Sequence, residues 1–290
     1  HFTIRRLSFF LVFTGRMPLM TNSRPKWIGG TIGSVTVVAL WWIGAVTVFA
    51  RTNSAGVSLP GAIPTPLEVI QQLGVDGFGF YWKNASLTLA EAGLGFVFGN
   101  ISALALAAVA LMLPKLENQA TQIAVITYCI PVVAIGPIIR LVLGAPGEGE
   151  PAGAAVALAA LSVFFTTMVG ALTGVKSADR ASLDVVTVYG GTSWHRLIKV
   201  QLLASLPAIF AALRIAAPAA FLGAILGEYV GGPDLGFGPA MVNAQQSLEV
   251  ARVWGLALVS GAIAGLAYAM FGLLSRVVSP WAKPASGGAK

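Results

Sequence analysis

The sequence predicts an all-α, polytopic membrane protein with six transmembrane helices. Three observations predict it. Of 290 residues, 56% are hydrophobic and only 10% are charged, with a mean hydropathy of +0.81. Soluble domains carry about a quarter charged residues, and one water-soluble core cannot hide this much apolar surface. Second, apolar runs recur at about the 20-residue length of a bilayer crossing. Third, one polar, basic insert, residues 174–206, interrupts them between the fourth and fifth runs.

The elements follow in order. The first span is predicted at Trp27–Ala50 and the second at Thr88–Leu113, where Pro114 stops it. The third, Ala120–Leu143, contains Pro131 and Pro137. Each proline removes a backbone donor and kinks a helix, which suits a pathway lining, a hinge or a packing bend equally. The fourth is Ala152–Thr173, the fifth Pro207–Val230 and the sixth Val253–Val278. Residues 27–280 form the membrane unit, flanked by an N-terminal segment, 1–26, and a tail, 281–290. Leu7–Phe13 is too short to span and no small-residue cleavage site follows it, so no signal peptide is read. The first residue is His1, and Met17 and Met20 are alternative starts.

Connections and seams carry their own signals. The segment 51–83 contains LPGAIPTPLEVIQQL, and Thr65-Pro66 starts a short helix with proline at its first position. That helix is expected along the membrane surface. Gly93, Gly95, Gly99, Ala103, Ala105, Ala107 and Ala108 in the second span allow close backbone approach. Gly261 and Gly265 repeat the small-residue spacing in the sixth.

Orientation follows from the basic residues. With the N-terminus inside, inner segments hold Arg5, Arg6, Arg16, Arg24, Lys26, Lys115, Lys176, Arg180, Arg196, Lys199, Arg276, Lys283 and Lys290. Outer segments hold only Arg51, Lys83, Arg140 and Arg252, while Arg214 lies within a span. The outer loops are acidic instead, with Glu68, Asp76, Glu148, Glu150, Asp234 and Glu249. Both termini and the 174–206 insert are therefore expected in the cytoplasm. The net charge of +7 is spread between spans, which argues for topology and not for nucleic acid.

Several chemistries find no residues. Cys129 is the only cysteine, which excludes an intrachain disulfide and a cysteine-cluster metal site; it is expected as a small core residue. His1 and His195 do not make a histidine metal site. No HExxH, no GxSxG in a strand–turn–helix setting, no phosphate-binding loop and no paired carboxylates on one helix are present. The chain is not expected to be an enzyme. Any ATP must be hydrolysed elsewhere.

The insert is the most specific feature. It reads DVVTVYGGTSWHRLIKVQLLASLP over 184–207. The spacing Asp184-Val185-Val186-x3-Gly190-x9-Val200-x-Leu202 resembles the Glu-Ala-Ala-x3-Gly-x9-Ile-x-Leu-Pro loop of ABC importer permeases. Asp184 takes the glutamate position and Gly190 the glycine position, while Leu203 stands where that family has proline. Five further stretches resemble the sulfonate-, taurine- and nitrate-type subgroup, in the same order: LPGAIPTPLEV, TLAEAGLGF, IPVVAIGPIIRLVLG, LPAIFAALRIA and GEYVGGPDLGFG. The resemblance covers about residues 27–280.

It implies a permease subunit that binds no cofactor itself. ATP and magnesium would sit on a cytoplasmic ATPase dimer. A coupling helix in the insert would dock in a groove of that dimer. Asp184 would cap or charge-pair a helix start, and Gly190 with Gly191 would form a turn where a side chain clashes. Trp194, His195 and Arg196 would anchor the interface. An extracytoplasmic binding protein, a second permease copy and membrane lipid complete the partners.

Among membrane-embedded carboxyls, Glu228 and its neighbour Tyr229 suit an outer gate or binding-protein contact. Glu228 equally suits a cap. Glu91 is expected to pair with Arg51, Lys83 or Arg140. Arg214 is expected to reach the inner surface. The solute implied is small, polar and anionic. Pyrimidine-type vitamin precursors and aromatic acids are alternatives within the same family, and a stand-alone secondary transporter is a more distant one.

Overall fold

A computed structural model describes residues 26–49, 51–52, 58–59, 61, 63–231 and 234–281. Residues 1–25 and 282–290, with the alternative starts and nearly all of the tail, lie outside the described residues. Apart from a two-residue antiparallel ribbon, β1 (Arg51–Thr52) with β2 (Ser58–Leu59), the described elements are helical.

Helix α1 (Lys26–Thr47) is mostly exposed. Trp41 tethers it, stacking on Trp254 at 5.3 Å and donating from its indole nitrogen to the Pro64 carbonyl at 3.0 Å. Helix α2 (Pro66–Met112) starts where Thr65-Pro66 predicts. Thr65 caps it, Pro66 opens it, and the Glu68 carboxylate accepts the Thr65 N–H at 2.7 Å. This reciprocal cap fixes the first turn. At 47 residues the element measures about 70 Å, far more than one bilayer crossing. It breaks at Gly77, whose backbone is not helical (φ 71, ψ 163).

The predicted third span is two helices, α3 (Glu117–Cys129) and α4 (Val132–Leu143), inclined at 101°. This corrects the expectation of one kinked helix. Pro131 cannot continue α3 and becomes the extended cap residue of α4, while Pro137 is accommodated inside α4. Each piece is about 20 Å long and cannot cross alone. Among the described residues five helices are long and apolar enough to cross, and the number is six if this broken pair counts as one span. Cys129 at the end of α3 is exposed and not a core residue.

Helix α5 (Gly153–Lys176) and helix α8 (Leu202–Gly231) form the centre with α2. Lipid gives helices no hydrophobic reason to associate, so small residues and buried hydrogen bonds do it. Gly95 and Gly99 lie against Ala159 and Val163. Gly170 and Gly174 meet Ala212 and Ala208, and Gly223 and Gly227 meet Ala159 and Ala155. Across α2 and α5, the Thr167 hydroxyl donates to Asn100 Oδ1 at 2.5 Å. Ala103 and Ala107 are buried as expected, whereas Gly93, Ala105 and Ala108 face outward. A Cβ at Gly261 or Gly265 in α10 (Val250–Val278) would meet no atom within 4 Å.

Between α5 and α8 the chain forms α6 (Arg180–Val188) and α7 (Ser193–Arg196), and a wide turn over Leu197–Gln201 leads into α8. At the opposite end, a helix that was not predicted, α9 (Phe237–Gln246), joins α8 to α10. Its 10 residues are too few for a span, and its buried Phe237, Gly238, Ala240 and Ala244 hold it on the bundle.

Candidate functional site

Two places collect the candidate residues, one at each end of the bundle. The first is the insert. Asp179, not Asp184, caps α6: its carboxylate accepts the Ser182 N–H at 3.2 Å. Asp184 lies in the middle of α6, exposed, and makes no hydrogen bond or ion pair with the described residues. The capping expectation for it is therefore corrected, because the local N-terminus lies four residues earlier.

The turn after α6 closes with two backbone bonds. Gly191 N–H donates to the Val186 carbonyl at 2.8 Å, and Gly190 N–H to the Thr187 carbonyl at 3.0 Å. This is the paired C-cap that requires a left-handed residue just past the helix. Gly190 supplies it with φ 75, and a Cβ there would meet nothing within 4 Å. The clash expected at Gly190 belongs to Gly191, where a Cβ would stand 2.6 Å from the Val186 carbonyl oxygen.

Beyond the turn, His195 folds back on its own helix start. The Thr192 N–H donates to His195 Nδ1 at 3.3 Å, and Arg196 donates to Ser193 Oγ at 3.1 Å. Trp194 stays half exposed. The residues missed in the sequence are Val188 and Tyr189, 84% and 87% exposed. With Val185 they occupy one face of α6 at i, i+3 and i+4. That spacing was readable, and its apolar face turns away from the bundle.

The second place is buried. Glu91 and Glu228 are 0% and 1% exposed. The Thr88 hydroxyl donates to Glu228 Oε1 at 2.5 Å. Gly238 N–H donates to Glu228 Oε2 at 2.6 Å. Ala152 N–H donates to Glu91 Oε1 at 2.7 Å. Phe237 N–H donates to the Thr88 hydroxyl and Gly236 N–H to Asn84 Oδ1. The first turn of α9 is thus held by side chains of α2 and α8, with Glu228 at its positive end.

Glu91 does not take two of the predicted basic partners, since Lys83 is exposed and Arg140 reaches the Val230 carbonyl; the side chain of Arg51 lies outside the described residues. Tyr229 points outward beside this cluster, and Pro131 and Pro137 are exposed and take no part in it. Asn84 and Thr88 were missed, although their spacing to Glu91 sets all three on one helical face.

Two further ionic features flank these places. Asp76, at the α2 break, accepts from Gln72, Tyr81 and Arg252, the last at 2.8 Å. Arg214 is half-buried. Its guanidinium lies over the Tyr268 ring at 3.9 Å and its Nε is buried without a partner.

A helical bundle with small-residue seams, a broken span and a polar two-helix insert is the architecture of a multi-pass membrane protein. The chain belongs to the family of binding-protein-dependent transport system inner membrane components, whose model matches residues 95–284. It is 32% identical to a Haemophilus influenzae "Probable ABC transporter permease protein" over 68% of this chain and 77% of that one. It is 29% identical to the riboflavin transport system permease protein RibX of Chloroflexus aurantiacus, over 78% and 84% of the two chains. It is 24% identical to SsuC of Bacillus subtilis, named for aliphatic sulfonates transport, over 90% of each. Among solved structures, the MetNI methionine ABC transporter in inward-facing conformations shares the fold, with TM-score 0.54 and 18% identity over 72% of this chain and 97% of that one. These relatives are permease subunits, and this chain is a permease of the ABC importer family.

Proposed function

We propose that this chain is the alternating-access permease of an importer for a small, polar, anionic solute such as a sulfonate, taurine or nitrate. The insert faces the cytoplasm, as do both termini, and docks on an ATPase dimer that binds ATP and magnesium. A binding protein delivers solute at the opposite face. Two permease copies, identical or paralogous, frame the pathway.

The observation that carries this reading is the outward apolar face of the insert. Val185, Val188, Tyr189 and Trp194 are all exposed, on two short helices set by a rigid glycine turn. Rigid, exposed aromatic anchors are what a protein partner buries. The same residues could lie on lipid, and the experiment separates the two. Tyr189→Glu and Gly191→Leu variants are expected to stay in the membrane but to lose co-purification with the ATPase and to abolish uptake. Full uptake by both variants, or uptake by the permease without an ATPase, overturns the proposal.

For the solute, the anionic reading is supported by Arg214, which lies about 18 Å along α8 and has no carboxylate partner among the described residues. The likeness to a riboflavin permease favours a second reading, a heterocyclic vitamin precursor. Ligand screening of the partner binding protein decides between them: a sulfonate supports the first, and a flavin or pyrimidine the second.

A further inference from the structure

We infer that the cavity between α2, α9 and the start of α10 binds a small zwitterion, with Lys83 taking its oxyanion and Asp234 its cationic nitrogen. The inference rests on the importer reading above, in which this end of the bundle meets the arriving solute, and it narrows that solute. The cavity holds about 360 Å³, within the range of small-molecule sites. Lys83 and Asn84 line it from α2, Asn243 and Ser247 from α9, Asp234 from the segment before α9 and Arg252 from α10.

The charges around this space are of two kinds. Arg252 is committed: it pairs with Asp76 and Glu249, and its guanidinium lies over the Phe80 ring at 5.6 Å. Lys83 and Asp234 are exposed and make no ion pair or side-chain hydrogen bond among the described residues, with each other or with a third group. The Asn243 amide and the Ser247 hydroxyl are likewise without side-chain partners there. A plain anion would satisfy Lys83 but meet Asp234 and Glu249 as like charges. A plain cation would satisfy Asp234 but meet Lys83. A solute that carries both charges a few bonds apart answers both at once, and the free amide and hydroxyl add neutral hydrogen bonds. The walls are set beforehand. Asn84 Oδ1 accepts the Gly236 N–H at 3.2 Å and the Thr88 hydroxyl accepts the Phe237 N–H at 3.0 Å, which fixes the start of α9 against α2. Binding then orders little of the protein, which favours affinity.

The test needs no transport assay, and both side chains are exposed, so their replacement leaves the bundle folded. The full chain in detergent is titrated calorimetrically with taurine, which carries an ammonium and a sulfonate, and with ethanesulfonate and ethylammonium, which carry one charge each. Taurine is expected to bind at least about tenfold more tightly than either, the effect of one hydrogen bond to a charged group. Lys83→Met and Asp234→Asn are each expected to weaken taurine about tenfold. Lys83→Met should leave ethylammonium no weaker than in wild type, and Asp234→Asn should do the same for ethanesulfonate. Absence of taurine binding, equal affinity for taurine and ethanesulfonate, or unchanged taurine affinity in both variants overturns the inference. The importer reading fails separately. A partner binding protein that carries a sulfonate, beside a permease without this preference, overturns the zwitterion site and leaves the importer standing.

Discussion

Gly236→Ala is the most demanding substitution the structure predicts. Gly236 has φ 121 and ψ 170, a conformation essentially restricted to glycine, and holding another residue there costs about 1–3 kcal/mol. A Cβ would stand 2.5 Å from Glu228 Oε1 and 2.6 Å from its Cδ, so the carboxyl must retreat by about 1 Å to reach ordinary contact. It cannot do so freely, because Thr88 and Gly238 hold both oxygens. Losing one of those charged hydrogen bonds adds about 1.5–3 kcal/mol. The total, about 2.5–6 kcal/mol, is a large part of the stability of a typical domain.

Gly190→Ala is the internal control. It also requires positive φ but meets no atom within 4 Å, so only the left-handed penalty of about 1–2 kcal/mol applies. Both variants are heated in detergent and the surviving monodisperse protein is measured by fluorescence-detected size exclusion. Gly236→Ala should melt roughly 10 °C below wild type and Gly190→Ala only a few degrees below. A Gly236→Ala protein as stable as wild type, or less affected than Gly190→Ala, would refute the idea that the turn closes on the buried carboxyl.

Arg252→Met removes the cation from Asp76, whose side chain is 2% exposed. A stranded buried charge costs about 3–5 kcal/mol, and adding Asp76→Asn should restore much of it in a double-mutant cycle of melting temperatures. Thr167→Val deletes the bond to Asn100 between α2 and α5; because the membrane reference state also finds partners, the loss should be near about 0.6 kcal/mol. A loss above about 2 kcal/mol would mean the bond does more than join two helices.

How much was legible depended on separation along the chain. The capped start of α2, most of the spans and the glycine turn of the insert are local patterns that the sequence predicts, although α2 runs from Pro66 where a span was expected only from Thr88. The cap on α6 went to Asp179 because capping is decided by where the backbone leaves the helix, and Asp184 lies a full turn past that point. The break at Pro131 was legible as a kink, but its angle of 101° depends on how α3 and α4 pack against α5 and α8. Thr88 and Glu228 are 140 residues apart, and no periodicity links them. Glu91 alone looked like half of a salt bridge with a basic neighbour.

The sequence by itself determined that this chain lives in a membrane and presents one polar insert, because apolar length and the φ demand of Gly190 are properties of single segments. Only the tertiary structure decided which buried groups meet. The Thr88–Glu228 bond arises when α2 and α8 close on α5 through small residues, and such packing is a property of three surfaces that no one segment carries.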